Sequence, residues 1–228
     1  MKRVLIIAAH PDDDVLGCGG IMAKYKEDVE FRVIFIAEGS TCRFNFKDIN
    51  NTEVKEVIDI RNNFGIEALA LFGIEKYNFY NLPCGRLDQV PILDINKIIE
   101  SEIRNFLPDT IFTHSDKDAN NDHSVVHRST LMATRPGASI FVGKVYAYEV
   151  LSSSEWRFTE AFMPNYFEVL NQNEVDLKWK ALAAYESEIK PFPYPRSEEG
   201  IHTLAKFRGL QSGVGYAEAF ELIREINE

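Results

Sequence analysis

Leu5-Ile6-Ile7-Ala8-Ala9-His10-Pro11-Asp12-Asp13-Asp14 runs from an apolar segment straight into a histidine and three carboxylates. Val4 to Ala9 is short, continuous and rich in β-branched residues, the pattern of a strand buried on both faces. Pro11 cannot continue a central strand, so the chain leaves the sheet there. Aspartates are favoured where a helix begins, because their charge suits the positive end of the helix dipole. The stretch therefore delivers His10, Asp12, Asp13 and Asp14 together at the carboxyl end of a strand. Open α/β sheets bind their ligands at that rim. Adjacent aspartates repel one another, and a divalent cation is the simplest group to relieve the repulsion.

Outward from this stretch, Val15 to Lys26 has helical spacing. Its Gly17-Cys18-Gly19-Gly20 lacks the GxGxxG spacing of a dinucleotide site, and close helix packing accounts for it better. Phe31 to Ala37 reads as a second buried strand, ending at Glu38-Gly39-Ser40-Thr41, with Arg43 in the polar stretch beyond. Thr52 to about Phe72 is helical in pattern and carries Arg61, which is either solvated or turned to the site. Tyr77 to Leu82 is a strand broken by Pro83, Ile92 to Phe106 an amphipathic helix stopped by Pro108, and Thr110 to Thr113 another buried strand. Lys144 to Leu151 and Tyr166 to Leu170 read as further strands. Asn173 to about Ser187, Glu198 to Arg208 and Tyr216 to Glu228 read as helices. The expected architecture is a single α/β domain over residues 1–228, with a mostly parallel central sheet. Its core spans about 1–150, and a C-terminal helical extension spans about 151–228.

Composition narrows the function classes. A net charge of −10 with no basic run argues against nucleic acid as a partner. No apolar stretch approaches the roughly 20 residues of a membrane span. Met1-Lys2-Arg3 and the short run after it lack the pattern of a signal peptide. Cys18, Cys42 and Cys84 are odd in number and without CxxC spacing, which suggests a reducing compartment and no cysteine-based zinc site. The expected location is cytoplasmic. A homo-oligomer is left open.

The second informative stretch follows the strand at Thr110: Thr113-His114-Ser115-Asp116-Lys117-Asp118-Ala119-Asn120-Asn121-Asp122-His123-Ser124-Val125-Val126-His127. Again a strand ends, a loop of ligand-type side chains follows, and a helix begins near Asp122. Catalytic zinc usually has three protein ligands and an open position for water, and His10, Asp13 and His123 supply such a set. Magnesium held by carboxylates is the inorganic rival, but the histidines favour zinc. Zinc lowers the pKa of a bound water towards about 7. Asp12, next to a ligand, is free to act as general base and then to protonate a leaving amine. The chemistry is metal-assisted hydrolysis of an amide or ester.

Ala9-His10-Pro11-Asp12-Asp13-Asp14 resembles the AHPDDE motif of the PIG-L/LmbE-like zinc-dependent N-deacetylases. Asp118 to His127 is similar to that family's second motif, which ends in Asp-His and opens a helix. The match runs from Met1 to about Pro136, and Pro193-Tyr194-Pro195-Arg196-Ser197 and Leu204 to Gly209 look like features of a bacterial subgroup. The resemblance implies a Rossmann-like three-layer fold and zinc-dependent removal of acetyl from an N-acetylglucosamine-like sugar or conjugate. The products would be acetate and a free amine, and the partner a small N-acetylated sugar or nucleotide sugar. By position, His10, Asp13 and His123 match the zinc ligands and Asp12 the general base. Where the family often has an oxyanion-stabilising histidine stands Asn120, so that role falls to Asn120, to His114 or to an arginine. Asp14 replaces the usual glutamate and is expected outside the zinc shell, adjusting hydrogen bonds behind it. His127 does not match a ligand position and is expected to be structural or to support a ligand. Arg61 resembles an arginine that helps hold substrate. Arg196 and Arg208 are expected either to meet an acidic sugar carrier or to form salt bridges within the tail. The competing functions are a zinc amidase for another N-acyl small molecule and a non-catalytic sugar- or nucleotide-binding protein.

Overall fold

In the computed structural model, which describes residues 1–227, the chain alternates strand and helix from its start. The strands are β1 (Arg3–Ala8), β2 (Glu30–Ala37), β3 (Tyr77–Leu82), β4 (Thr110–His114), β5 (Lys144–Tyr148), β6 (Tyr166–Leu170) and β7 (Tyr216–Glu225). The helices are α1 (Asp13–Tyr25), α2 (Thr52–Leu71), α3 (Ile92–Phe106), α4 (Asn121–Ala133), α5 (Gln172–Ala183) and α6 (Glu198–Ser212). They build one 7-stranded sheet in the order β3-β2-β1-β4-β5-β7-β6. β1 to β5 pair in parallel, and β7 is antiparallel to both β5 and β6.

Alternation along β1 assigns its side chains to two cores. Val4, Ile6 and Ala8 pack with α1, α2, α5 and α6, while Leu5, Ile7 and Ala9 pack with α3 and α4. A strand buried on both faces has no polar positions to spare, which explains its unbroken apolar run. β1 pairs with β2 on one side and β4 on the other, so strand order reverses there. The crevice at the carboxyl ends of β1 and β4 is the topological switch point at which such sheets bind ligands.

The glycines of α1 serve packing. A Cβ on Gly17 would lie 2.1 Å from Tyr148 Cδ2, and one on Gly20 would lie 2.4 Å from Leu170 Cδ1. These close approaches seat α1 directly on β5 and β6.

The C-terminal part differs from its sequence pattern in one element. Tyr216 to Glu225 is a strand, not a helix; Glu228 lies outside the described residues. Alanine and glutamate favour helix by propensity, but Ala217, Ala219 and Phe220 are buried where the segment joins β5 to β6. Tertiary pairing overrides local preference. The extension is thus two helices and two strands that widen the sheet. Glu218 of β7 accepts the N–H groups of Gly20 (2.9 Å) and Ile21 (2.8 Å), and Lys178 of α5 donates to Leu16 O and to Glu218, both at 2.7 Å. Both side chains are only 6% exposed. This buried pair ties α1, the helix that opens with Asp13, to the extension. Removing one partner of such a pair costs about 3–5 kcal/mol. Lys178→Met is therefore expected to lower the urea midpoint steeply, and Lys178→Met/Glu218→Gln to recover part of the loss; equal midpoints for wild type and Lys178→Met would refute the anchoring role.

Candidate metal centre

β1 ends at Ala8, and the turn Ala9-His10-Pro11-Asp12 crosses the rim before α1 begins. Asp12 has φ 117° and ψ −28°, a left-handed conformation that is strained for any residue but glycine. Its surroundings hold it there. Arg61 of α2 donates through Nη2 to Asp12 Oδ2 at 2.9 Å and to Pro11 O at 3.0 Å, and Arg196 Nη1 donates to the same Oδ2. Asp12 Oδ1 is buried and has no hydrogen-bond partner among the described residues. Burial raises the Asp12 carboxyl against the opposing pull of Arg196 and Arg61.

Asp13 Oδ2 is the point of convergence. It accepts the backbone N–H of His10 at 2.8 Å and lies 3.2 Å from His10 Nδ1 and 3.3 Å from His123 Nε2. Donor atoms of His10, Asp13 and His123 all lie within 4.8 Å of one another, and the three residues are buried. Each imidazole has a carboxylate at its far nitrogen: His10 Nε2 is 3.0 Å from Asp122 Oδ2, and His123 Nδ1 is 3.1 Å from Asp118 Oδ1. Such a carboxylate fixes the tautomer and leaves the near nitrogen a lone pair for a cation. Asp122 is itself held by the N–H groups of Gly85 (2.6 Å) and Leu87 (3.1 Å). Asp118 accepts from the Ser153 and Ser154 hydroxyls and the Asn120 N–H.

Charge follows this geometry. Burial pulls His10 and His123 down, but their carboxylate neighbours outweigh it and raise them to about 9 and about 10. Burial would raise Asp13 and Asp118, yet the imidazoles, aided at Asp118 by the serines, hold Asp13 well below the usual range and Asp118 at about 2. Asp14 is fully buried, and burial pushes it up to about 8. It is uncharged at pH 7 and is not in the converging set. Two imidazoles and a carboxylate thus come together as a buried donor set that could hold a metal ion.

The other expected residues are also placed. Asn120 is the N-cap of α4, its Oδ1 accepting the Asp122 N–H at 2.9 Å. His127 is paired through Nδ1 with His114 O at 2.8 Å, which braces α4 against the end of β4. His114 is fully buried; its Nε2 accepts the Ala9 N–H at 2.8 Å, and burial holds it well below its usual pKa. That engagement leaves it no donor for a substrate oxyanion at Nε2. Arg208 pairs with Glu149 and stays with the extension. Sequence reasoning passed over Glu188, a buried carboxylate that receives Arg43, Arg61 and Arg196. It also gave no separate role to Asp118 or Asp122, whose acidic letters were visible but whose pairing needs the folded loops.

The family profile described as PIG-L, GlcNAc-PI de-N-acetylase, matches residues 5–134. The Escherichia coli (strain K12) protein described as uncharacterized deacetylase YaiS is 26% identical over 192 residues, covering 82% of this chain and 91% of its own length. N,N'-diacetylchitobiose deacetylase from Pyrococcus horikoshii superposes with a TM-score of 0.77 at 22% identity, covering 98% of this chain and 84% of that one. GalB, the 4-carboxy-2-hydroxymuconate hydratase from Pseudomonas putida KT2440, superposes at 0.74 with 21% identity over 100% of this chain and 99% of that one. The profile spans both strand-end loops that converge on Asp13 and more than half of the sequence, and the chain belongs to the PIG-L family.

Proposed function

We propose that the protein is a zinc-dependent N-deacetylase that releases acetate from an N-acetylglucosamine-like sugar or sugar conjugate. The observation that carries this reading is the unpartnered Asp12 Oδ1 beside the His10, Asp13 and His123 donors. His10 Nδ1, Asp13 Oδ2 and His123 Nε2 would hold the zinc. Bound there, zinc supplies a Lewis acid that acidifies water and polarises a carbonyl oxygen. Arg61 and Arg196 occupy Asp12 Oδ2, which presents Oδ1 as the proton acceptor. The same oxygen then returns the proton to the departing amine. Asn120 spends its Oδ1 on the helix cap and offers Nδ2–H to the oxygen on which charge develops. Asp118 and Asp122 keep the two imidazoles oriented, and His127 braces α4 against the end of β4 behind them. Arg61 and Arg196 act through Asp12, and Arg61 also lines an open cavity with Ser40, Arg43, Ile60 and Phe64 where a substrate can lie. We extend the assignment to the whole chain as one catalytic domain, because Arg196 reaches Asp12, and Glu188 reaches the Arg61 paired with it, from beyond residue 151.

A cytoplasmic location fits the free cysteines, and no helix among the described residues is long and apolar enough to cross a membrane. The sugar assignment leans on the family and on the chitobiose deacetylase, whose fold this chain shares. GalB has the same fold and a different reaction, so chemistry must be tested directly.

Acetate release from a panel of N-acetyl sugars, nucleotide sugars and other N-acyl amines, with zinc analysis on the same sample, is the direct experiment. Asp12→Asn is expected to keep its zinc and lose about 10²–10⁴-fold in turnover, the usual worth of a general base. Full activity in that variant, or turnover that survives removal of all metal, would sink the mechanism; zinc without acetate from any amide would move the reading towards another hydrolase or a hydratase. Proton linkage gives a second test. In metal-free protein His10 and His123 are protonated at pH 7, since their values are raised to about 9 and about 10. Zinc uptake must expel those protons, so calorimetry at pH 7 in buffers of different ionisation enthalpy should report proton release, and affinity should climb with pH towards about 9. Affinity independent of pH from 6.5 to 9 would contradict the assignment. The sign for stability is opposite: the imidazolium contribution to the metal-free fold is complete below about 6.5 and fades as pH passes about 9 and then about 10.

A further inference from the structure

His10 faces two ways. Its Nδ1 points to Asp13, and its Nε2 lies 3.0 Å from Asp122 Oδ2. On this second side stands Cys84, just past β3, with donor atoms of His10, Cys84 and Asp122 within 4.8 Å of one another and all three residues buried. Cys42, from the loop after β2, comes up beside this group, packed against Gly85, the residue that follows Cys84. Both cysteines are free. The loops are held together independently of the thiols. Glu38 accepts the Thr41 N–H at 2.9 Å and the Cys84 N–H at 2.8 Å, and a Cβ on Gly85 would meet Cys42 Cβ at 3.1 Å. Cys42 is exposed, which gives a path from solvent to the buried partners.

We propose that Cys84 Sγ, Cys42 Sγ, Asp122 Oδ2 and His10 Nε2 form a second cation site, selective for thiophilic divalent ions such as zinc or cadmium. A buried thiol lies among an imidazole nitrogen and a carboxylate, and an exposed cysteine from a separate loop stands beside it. Two sulfurs, one nitrogen and one oxygen make a soft to borderline four-donor set. Packing alone explains a buried cysteine, but not one gathered with two further ligand atoms and a second cysteine alongside. Binding involves no oxidation. Each thiol and the His10 Nε2–H release a proton to solvent, and the cation takes their place. Four protein donors leave no open position, so the site is closed and does no hydrolysis.

The consequence is inhibition of the neighbouring centre. A cation on this side removes the Asp122 hydrogen bond that orients His10 and makes the imidazole a bridge. The site itself does not depend on the proposed deacetylase, but this effect on turnover rests on that reading. Excess thiophilic metal would then slow an enzyme that one equivalent of zinc activates.

Cobalt(II) distinguishes the two positions, because only thiolate ligation gives an intense near-ultraviolet charge-transfer band. The full-length protein, stripped of metal and reduced with a non-coordinating phosphine, is titrated with Co²⁺. Wild type should take two equivalents, one of them bringing the thiolate band. His123→Ala should lose one equivalent and keep the band. Cys84→Ser and the surface variant Cys42→Ser should each weaken the band-forming equivalent at least about tenfold, the scale of a perturbed metal shell. Both should retain acetate release and resist inhibition by excess zinc. No thiolate band in wild type, or a band unchanged in both serine variants, overturns the cysteine site. A band that persists while His123→Ala loses no equivalent sinks the His10, Asp13 and His123 assignment and leaves the cysteine site standing.

Discussion

A single carboxylate oxygen, Asp13 Oδ2, gathers the ends of two separate strands. His10 reaches it from the end of β1 and His123 from the first turn of α4, within 3.2 Å and 3.3 Å. Burying so many charges without compensation would be prohibitive, and each here has an opposite partner. Asp13 faces two imidazoles, and each imidazole faces a further carboxylate. The chain of alternating charge ends in backbone and hydroxyl donors: Gly85 and Leu87 N–H behind Asp122, Ser153 and Ser154 behind Asp118. Electrostatic balance therefore fixes the relative positions of four loops.

A second network holds Asp12. Asp12 and Glu188 share Arg61 and Arg196, with Arg43 adding a third guanidinium at Glu188. An unpaired aspartate in a left-handed turn would relax towards solvent. The two guanidiniums hold one of its oxygens and leave the other bare. This arrangement draws on the C-terminal part, which is no appendage. Lys178 and Glu218 anchor it beneath α1, while Arg196 reaches the turn just before that helix and Glu188 holds the Arg61 that does the same.

The parallel core was legible because its signals are local. A strand buried on both faces is an apolar run, and a strand-end loop announces itself by proline and aspartate. Hence Tyr77–Leu82, Ile92–Phe106 and Tyr166–Leu170 fall where the pattern placed them. β7 was illegible for the converse reason. Its alanines and glutamates carry helical propensity, and only β5 and β6 on its two sides make it a strand. The site divides the same way. His10, Asp13 and His123 sit in recognisable motifs, whereas Glu188 belongs to a segment with no motif and gains meaning only from the arginines around it. Cys42 and Cys84 were read by spacing, which made them look unrelated; the sheet brings their loops together through β2–β3 pairing.

Fold likeness alone leaves the reaction open, since a hydratase and a deacetylase both superpose on this chain across most of its length. What narrows it is the protonation pattern around one small volume. Amide hydrolysis needs a base that accepts a proton from water and later gives it to nitrogen, with its pKa lifted towards the working range. Burial raises the Asp12 carboxyl against the pull of two arginines, the direction that the proposed role requires. Asp14, equally buried but without an arginine, is pushed to about 8 and would arrive already protonated at pH 7. Two neighbouring aspartates of the same turn are thus separated by the presence of Arg61 and Arg196 at only one of them. The arginines do not merely position Asp12; they oppose the effect of burial, a counterweight that Asp14 does not have.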